Sequence, residues 1–249
     1  MNIGIYQSAS SLSALERWQD SVSQNIASSQ MAGYRKRTVN FSTQAAGEIQ
    51  SGTHSRIGHG DGEGLLFPKV NTGINFVPGE TQPTQRENDL AIQGDGFFEL
   101  QGPDGAKSYT RDGGFRLSSD RTLVNASGQQ VMTESGTPIT LASGAGDLVV
   151  NQDGTVFQGS TALGKLAIRK FADNNRLSPA AGGAFVPPPD MAPETMEKPQ
   201  VLQGYLEGSN VAALREMVDL VLISRAYEAN QKMITSVDQQ MEKTLDALG

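Results

Sequence analysis

The chain has 249 residues, 27 acidic against 20 basic side chains for a formal net charge of −7, 28 Gly, 11 Pro and no Cys. That length suits one large domain or two modest ones, and the acidic balance speaks against a general nucleic-acid or anionic-membrane surface. The missing Cys excludes disulfides, thiolate nucleophiles and Cys-based zinc sites, and no apolar run approaches the roughly 18–20 residues of a membrane span, so direct membrane insertion is not expected.

Residues 1–7 lack the basic region and apolar core of a cleaved secretory signal. From residue 6 to residue 28 there is no Gly or Pro. Ile5, Leu12, Leu15, Val22 and Ile26 fall on one helical seam, with Ser8 and Gln19 as its polar occupants and Trp18 beside it. Ser, Gln and Asn are frequent here, so such a helix gains its stability mainly from packing. Gly33 follows as the expected helix C′ residue, where a left-handed conformation is needed. Arg35, Lys36 and Arg37 then read as cations at the helix's negative end and on a solvated surface, or as a contact for an acidic partner.

Residues 38–87 carry little regular pattern. Residues 52–64 form a Gly-rich loop that holds both histidines, His54 and His59, with Asp61 and Glu63 nearby. Their spacing matches no closed metal site, so no metal is expected. Residues 70–77 alternate as an extended strand, and Pro78-Gly79 makes a turn.

From Asn88 the pattern is β. Residues 90–93 and 97–100 are short strands around a tight turn at Gly94-Asp95-Gly96. Further short strands run to Phe171, with turn signals every 8–12 residues, as in an antiparallel sandwich or open barrel. The expected core is Ile92, Phe97, Tyr109, Phe115, Leu123, Val131, Val149, Val156, Leu166 and Ile168. After Phe171 the pattern lapses, and Pro187-Pro188-Pro189 and Pro193 stiffen a return path to the last element.

That last element spans residues 210–248 without Gly or Pro. Leu220, Ile223, Tyr227, Asn230, Ile234, Val237, Met241, Thr244 and Leu248 recur at alternating three- and four-residue steps, a heptad seam with two polar interruptions. Ser209 and Asn210 supply the expected cap. A helix of this span is about 55–60 Å long, more than the width of a domain this size, and calls for a partner. The two terminal seams suggest a hairpin-like shaft.

Three stretches resemble the flagellar basal-body rod and hook family, the axial proteins of the bacterial flagellum. Asn25-Ile26-Ala27-Ser28-Ser29-Gln30-Met31-Ala32-Gly33-Tyr34-Arg35 is similar to its amino-terminal motif, with Ser28 and Met31 in place of the usual Asn and Thr. Residues 88–98, with Gly94, Asp95, Gly96, Phe97 and Phe98, and residues 109–117, with Tyr109 and Arg111, resemble its central β signature. Residues 204–211 with Asn210, Glu216-Met217-Val218, and residues 225–230 resemble its carboxy-terminal helix. The length excludes the much longer hook protein.

The resemblance implies an α+β protein: an antiparallel β-rich central domain with a discontinuous α-helical coiled-coil domain formed by the N- and C-terminal helices. The expected division is 1–35 with 205–249 as the shaft, 36–87 with 172–204 as connector, and 88–171 as the β domain. It further implies a structural rod subunit that takes no cofactor. Its expected partners are copies of itself and other rod subunits, and the flagellar type III apparatus exports it uncleaved to the periplasm-spanning rod. No nucleophile elbow, phosphate loop or converging Ser–His pair supports an enzyme; a carboxylate pair acting on cell-wall glycan is the opposing reading. A secreted coiled-coil filament protein of another system is a third.

Overall fold

A computed structural model describes residues 3–45, 66–144 and 146–246. His54, His59, Asp61 and Glu63 of the Gly-rich loop lie outside the described residues. The protein is α+β, with mostly antiparallel sheets and two long helices. It divides into two compact units, and the chain passes between them at 26/27, 36/37, 73/74 and 212/213.

The first unit comprises α1 (Ile3–Ala27), the hairpin of β1 (Arg37–Ala45) and β2 (Leu66–Ile74), and α2 (Ala213–Asp246). The helices run antiparallel: Asn25 bonds Glu216 near one end, and Ser8 Oγ donates to Met233 Sδ at 3.8 Å further along. Leu15, Val22 and Ile223 are buried between them, with Trp18, Ile26, Leu220 and Ala226 packed around. Trp18 meets Phe41 of β1 edge-on at 5.5 Å. At 1.5 Å per residue α2 is about 51 Å long.

The second unit is built almost entirely of β structure. β3 (Thr81–Pro83) and β4 (Leu90–Gln93) precede β5 (Phe97–Gln101) and β6 (Lys107–Thr110). Next come β7 (Arg116–Leu117), β8 (Leu123–Val124), β9 (Gln130–Val131), β10 (Leu148–Val150), β11 (Thr155–Gln158), β12 (Thr161–Lys165) and β13 (Ile168–Lys170). The segment after Phe171 adds β14 (Ser178–Pro179), β15 (Ala184–Val186), β16 (Glu194–Thr195), β17 (Gln200–Gln203) and β18 (Tyr205–Glu207). The largest sheet runs β14-β15-β6-β5-β9-β8-β7, with β13 bridging β5 and β16. β10, β11 and β12 form a meander, and β17 pairs β4 as β18 pairs β3.

Strand β5 explains why two cores form. Side chains alternate along a strand, so Phe97 and Phe98 face opposite ways, and both are buried. Phe98 joins Leu90, Leu100, Phe115, Leu123, Leu166 and Ile168 in the larger core. Phe97 packs with Tyr109, Phe171, Leu177, Phe185 and Met191 in a smaller, aromatic one. Edge-on ring contacts of 4.9 Å between Tyr109 and Phe171 and 5.7 Å between Phe97 and Phe185 organise that second core.

Several expectations need correction. The Gly94-Asp95-Gly96 turn has the expected positive φ at both glycines, 84° and 111°, yet it closes no hairpin. β4 pairs β17 while β5 pairs β6, β9 and β13, so the turn carries the chain from one sheet to another. Val149 is exposed because the two-residue period of β10 turns Leu148 and Val150 inward. The segment after Phe171 is more than a stiff return path, since Leu177, Phe185 and Met191 supply half of the aromatic core. Residues 70–77 are extended only to Ile74, and β1 arises in a region that showed no pattern.

Across β5 and its neighbours, buried Glu99 accepts from Arg169 at 2.6 Å and pairs with Lys107 at 2.7 Å. Burial pushes its carboxyl up, but these two cations outweigh it and hold Glu99 below the ordinary carboxylate range. A depressed folded-state pKa contributes stability that is present above the unfolded pKa and is lost as pH falls through the folded one. Glu99→Gln should therefore lower the urea midpoint at neutral pH. Its deficit relative to the parent should shrink once pH falls below roughly 4, as parallel urea titrations at several pH values would show.

Candidate functional site

The seam residues of the first unit are placed as follows. Leu15, Val22 and Ile223 are buried, and Leu12, Ile26, Leu220, Asn230, Ile234 and Val237 are half-buried. Ile5 and Met241 lie within α1 and α2. Two positions differ from expectation. Gln19 is exposed, and Trp18 packs at the cluster instead. Tyr227 is 41% exposed, and Ala226 packs in its place. An α-helix turns 100° per residue, so 226 and 227 flank the same line; the close helix approach admits the methyl group and turns the phenol out.

Where the helices begin and end, the first unit is closed by Asn25. Its Nδ2 donates to the Arg37 carbonyl and to Glu216 Oε2, each at 2.9 Å, and its Oδ1 accepts the Arg37 N–H at 2.8 Å. Glu216, 1% exposed, sits in the first turn of α2, where the helix's free N–H groups favour a carboxylate.

In the second unit a charged clasp is buried around Glu207, which is 2% exposed. Its Oε1 lies 2.5 Å from Arg35 Nη1 and accepts the Gly79 N–H at 2.9 Å. Its Oε2 lies 3.2 Å from Arg111 Nη1. Arg111 also donates to the carbonyls of Ile92 and Gly94, and its guanidinium stacks over the Phe97 ring at 5.4 Å. Burial pulls the Arg111 guanidinium down to about 10, against the opposing pull of Glu207, which leaves it charged at neutral pH. Two buried cations thus share one carboxylate, and neither Nε makes a hydrogen bond.

Arg35 is therefore neither a helix-end nor a surface cation. Gly33 is not the C′ residue either, because α1 ends at Ala27. It does adopt φ +66°, and a Cβ there would stand 2.3 Å from the Arg111 carbonyl carbon. Its N–H donates to the Glu207 carbonyl at 2.7 Å. Gly33→Ala is expected to cost at least the 1–3 kcal/mol of a strained left-handed residue, plus the displacement of Arg111. A fall of several degrees in the melting temperature of the β unit would register it.

Asn210 does not cap α2, which starts three residues later. Its Oδ1 accepts the Lys36 N–H at 2.6 Å, and its Nδ2 donates to the carbonyls of Asn75 and Val77 at 2.8 Å each. Ser209 makes only a local bond, from the Val211 N–H to its Oγ at 3.2 Å. Of the remaining motif residues, Tyr34, Phe97, Phe98 and Tyr109 are buried, and Asp95 is exposed in its turn. Glu207 and Glu216 were not among the expected site residues, because a charge beside a turn or on a helix reads as solvated until its distant partner is known. The joining of Arg35 to Glu207 across most of the chain length leaves no trace in local spacing.

Of the residues of these sites, Arg111, Glu207, Asn210, Glu216 and Ile223 lie in regions matched by family models. Residues 91–158 match the family model "Flagellar hook protein FlgE/F/G D1 domain", and residues 202–247 match "Flagellar basal body rod FlgEFG protein C-terminal". The chain is 31% identical to a flagellar basal-body rod protein FlgF of Rhizobium meliloti, over 100% of this chain and 99% of the relative. It is 30% identical to one of Caulobacter vibrioides, with the same coverage. It is 31% identical to a flagellar basal-body rod protein FlgG of Buchnera aphidicola over 89% of this chain and 90% of the relative. Among the described residues no helix is long and apolar enough to cross a membrane. With end-to-end similarity of this extent, and with its motif residues placed in the helix pair and the clasp, the chain belongs to the flagellar basal-body rod protein family, whose members are structural subunits and not enzymes.

Proposed function

We propose that this chain is the proximal rod subunit, assembling through its terminal helices with copies of itself and with other rod subunits into a helical tube that transmits motor torque. The observation that carries the reading is the packing of α1 against α2. The pairing leaves Leu214, Met217, Val218, Val221 and Leu222 of α2 exposed, and a cluster of exposed large apolar side chains marks an interaction surface. Different patches meeting different neighbours make a heterologous contact that propagates as a helix. In this reading the two helices form a discontinuous coiled-coil shaft, whose exposed apolar side chains are covered when a neighbouring subunit docks. The chain reaches the rod uncleaved, through the flagellar type III apparatus.

The proximal position is supported by residues 207–210 and 232–238, which lean that way, whereas residues 225–230 lean to the distal rod protein. The relatives named FlgF are matched over 99% of their own length, and those named FlgG over 88–97%. Proteomics of purified basal bodies combined with gold labelling tests the reading. Label at the membrane-ring end is the expected result. Label along the outer rod segment would make it a distal subunit, and absence from intact basal bodies would overturn the rod assignment.

A further inference from the structure

The chain passes between its two units four times, which poses a mechanical problem. A single extended strand is a weak joint, and four strands share load only if each unit holds its own ends together. In each unit one asparagine side chain ties three of the four ends. In the first, Asn25 joins the end of α1 to both backbone polar groups of Arg37 and to Glu216 in the first turn of α2. In the second, Asn210 joins the stretch leading to α2 to the Lys36 N–H and to the carbonyls of Asn75 and Val77. The Asn75 N–H in turn donates to the Lys36 carbonyl at 2.8 Å. The chain stretches beside the crossings are thereby cross-linked within each unit.

We propose that Asn25 and Asn210 are the positioning residues of this joint, and that their carboxamides each tie three of the crossing segments together so that load is shared among them. A carboxamide suits the task chemically. It offers an acceptor and two donors on one rigid group, and so satisfies an N–H and two C=O groups at once. Asp lacks the donors and Leu lacks both. The charged clasp around Glu207 anchors the same stretch, chiefly through the side chains of Arg35 and Arg111; every partner of Asn210 is a backbone group.

The inference rests on the torque-transmitting reading above, and the test separates the two. The full-length chain carries Asn210→Ala in one strain and Asn210→Asp in another. Amide hydrogen exchange of the purified proteins is expected to accelerate about tenfold at Lys36 in the Ala variant, which removes its acceptor. Exchange in β5 and β6 should not change. Exchange at Asn75, whose N–H bonds the Lys36 carbonyl, should rise in both variants, since loss of the Asn210 Nδ2 donor releases the 75–77 backbone from the stretch that holds Lys36. In cells, both variants should enter basal bodies at parental abundance, while swimming in viscous medium falls several-fold relative to the parent. Unchanged exchange at Lys36 and Asn75 would overturn the proposal, as would parental swimming under load despite accelerated exchange. Failure of the variants alone to enter basal bodies would also overturn it, by making Asn210 an assembly residue. If the parental chain itself is missing from basal bodies, the rod reading has failed, and the load-bearing role fails with it.

Discussion

Glu207→Ala is expected to lower the stability of the β unit by about 3–5 kcal/mol, the cost of stripping one partner from a buried ion pair. The penalty does not measure the worth of the two ion pairs. It arises because Arg35 and Arg111 stay behind, both nearly inaccessible to water, with no counter-charge between them. Two guanidinium donors already lack hydrogen-bond partners at their Nε atoms, so the site has no spare acceptors. The Gly79 N–H loses its acceptor as well. Glu207→Gln keeps the shape and one acceptor but leaves the same uncompensated charge, and should recover only part of the loss.

A second substitution distinguishes charge from packing. In Arg35→Met/Glu207→Gln one cation is gone, which leaves Arg111 with its two carbonyl acceptors and the face of Phe97. The double variant is expected to be more stable than Glu207→Gln alone. Urea denaturation followed by near-ultraviolet Tyr signals would report it. Additive losses would mean that the clasp acts as packing and not as a charge-balanced unit.

Ile223→Asp is the second large effect. Ile223 is 1% exposed and lies at the centre of the helix pair with Leu15 and Val22. Truncating such a side chain costs about 2–5 kcal/mol, and the introduced carboxylate adds a desolvation cost amid the apolar side chains of the cluster. The pair should open. The single Trp of the chain, Trp18, belongs to this cluster and not to the β unit, so its emission should shift to the red. The β unit should retain the parental melting transition, since its two cores share no residue with the seam. The variant is expected to be absent from purified basal bodies. An unchanged Trp18 spectrum together with normal incorporation would remove the seam from the account of assembly. Tyr227→Ala, at an exposed position of the same helix, serves as the milder comparison.

Much of this architecture was legible in the residues. The absence of Gly and Pro marked both helices, and the three- and four-residue spacing picked out Leu15, Val22, Leu220 and Ile223 because helical geometry is local. Turn residues divided the β region, and the period of two identified most of its core. The same local rules misplaced Tyr227, Val149 and Gln19, which sit one residue or one helical step from the buried line. At that resolution packing against a neighbour decides the facing, and the chain's own periodicity does not.

What the sequence determined by itself is therefore the set of elements and the stripe each one offers for burial, since propensity and periodicity act over a few residues. Pairing across long separations was decided by tertiary structure. The turn at Gly94-Asp95-Gly96 has hairpin chemistry but links two sheets, because β17 is a partner for β4 that approaches from more than a hundred residues later in the chain. Arg35, Glu207, Asn25 and Asn210 look like ordinary surface or capping residues until the fold removes water from around them. Only then does an unpaired charge or amide become costly enough that each must find the one partner within reach.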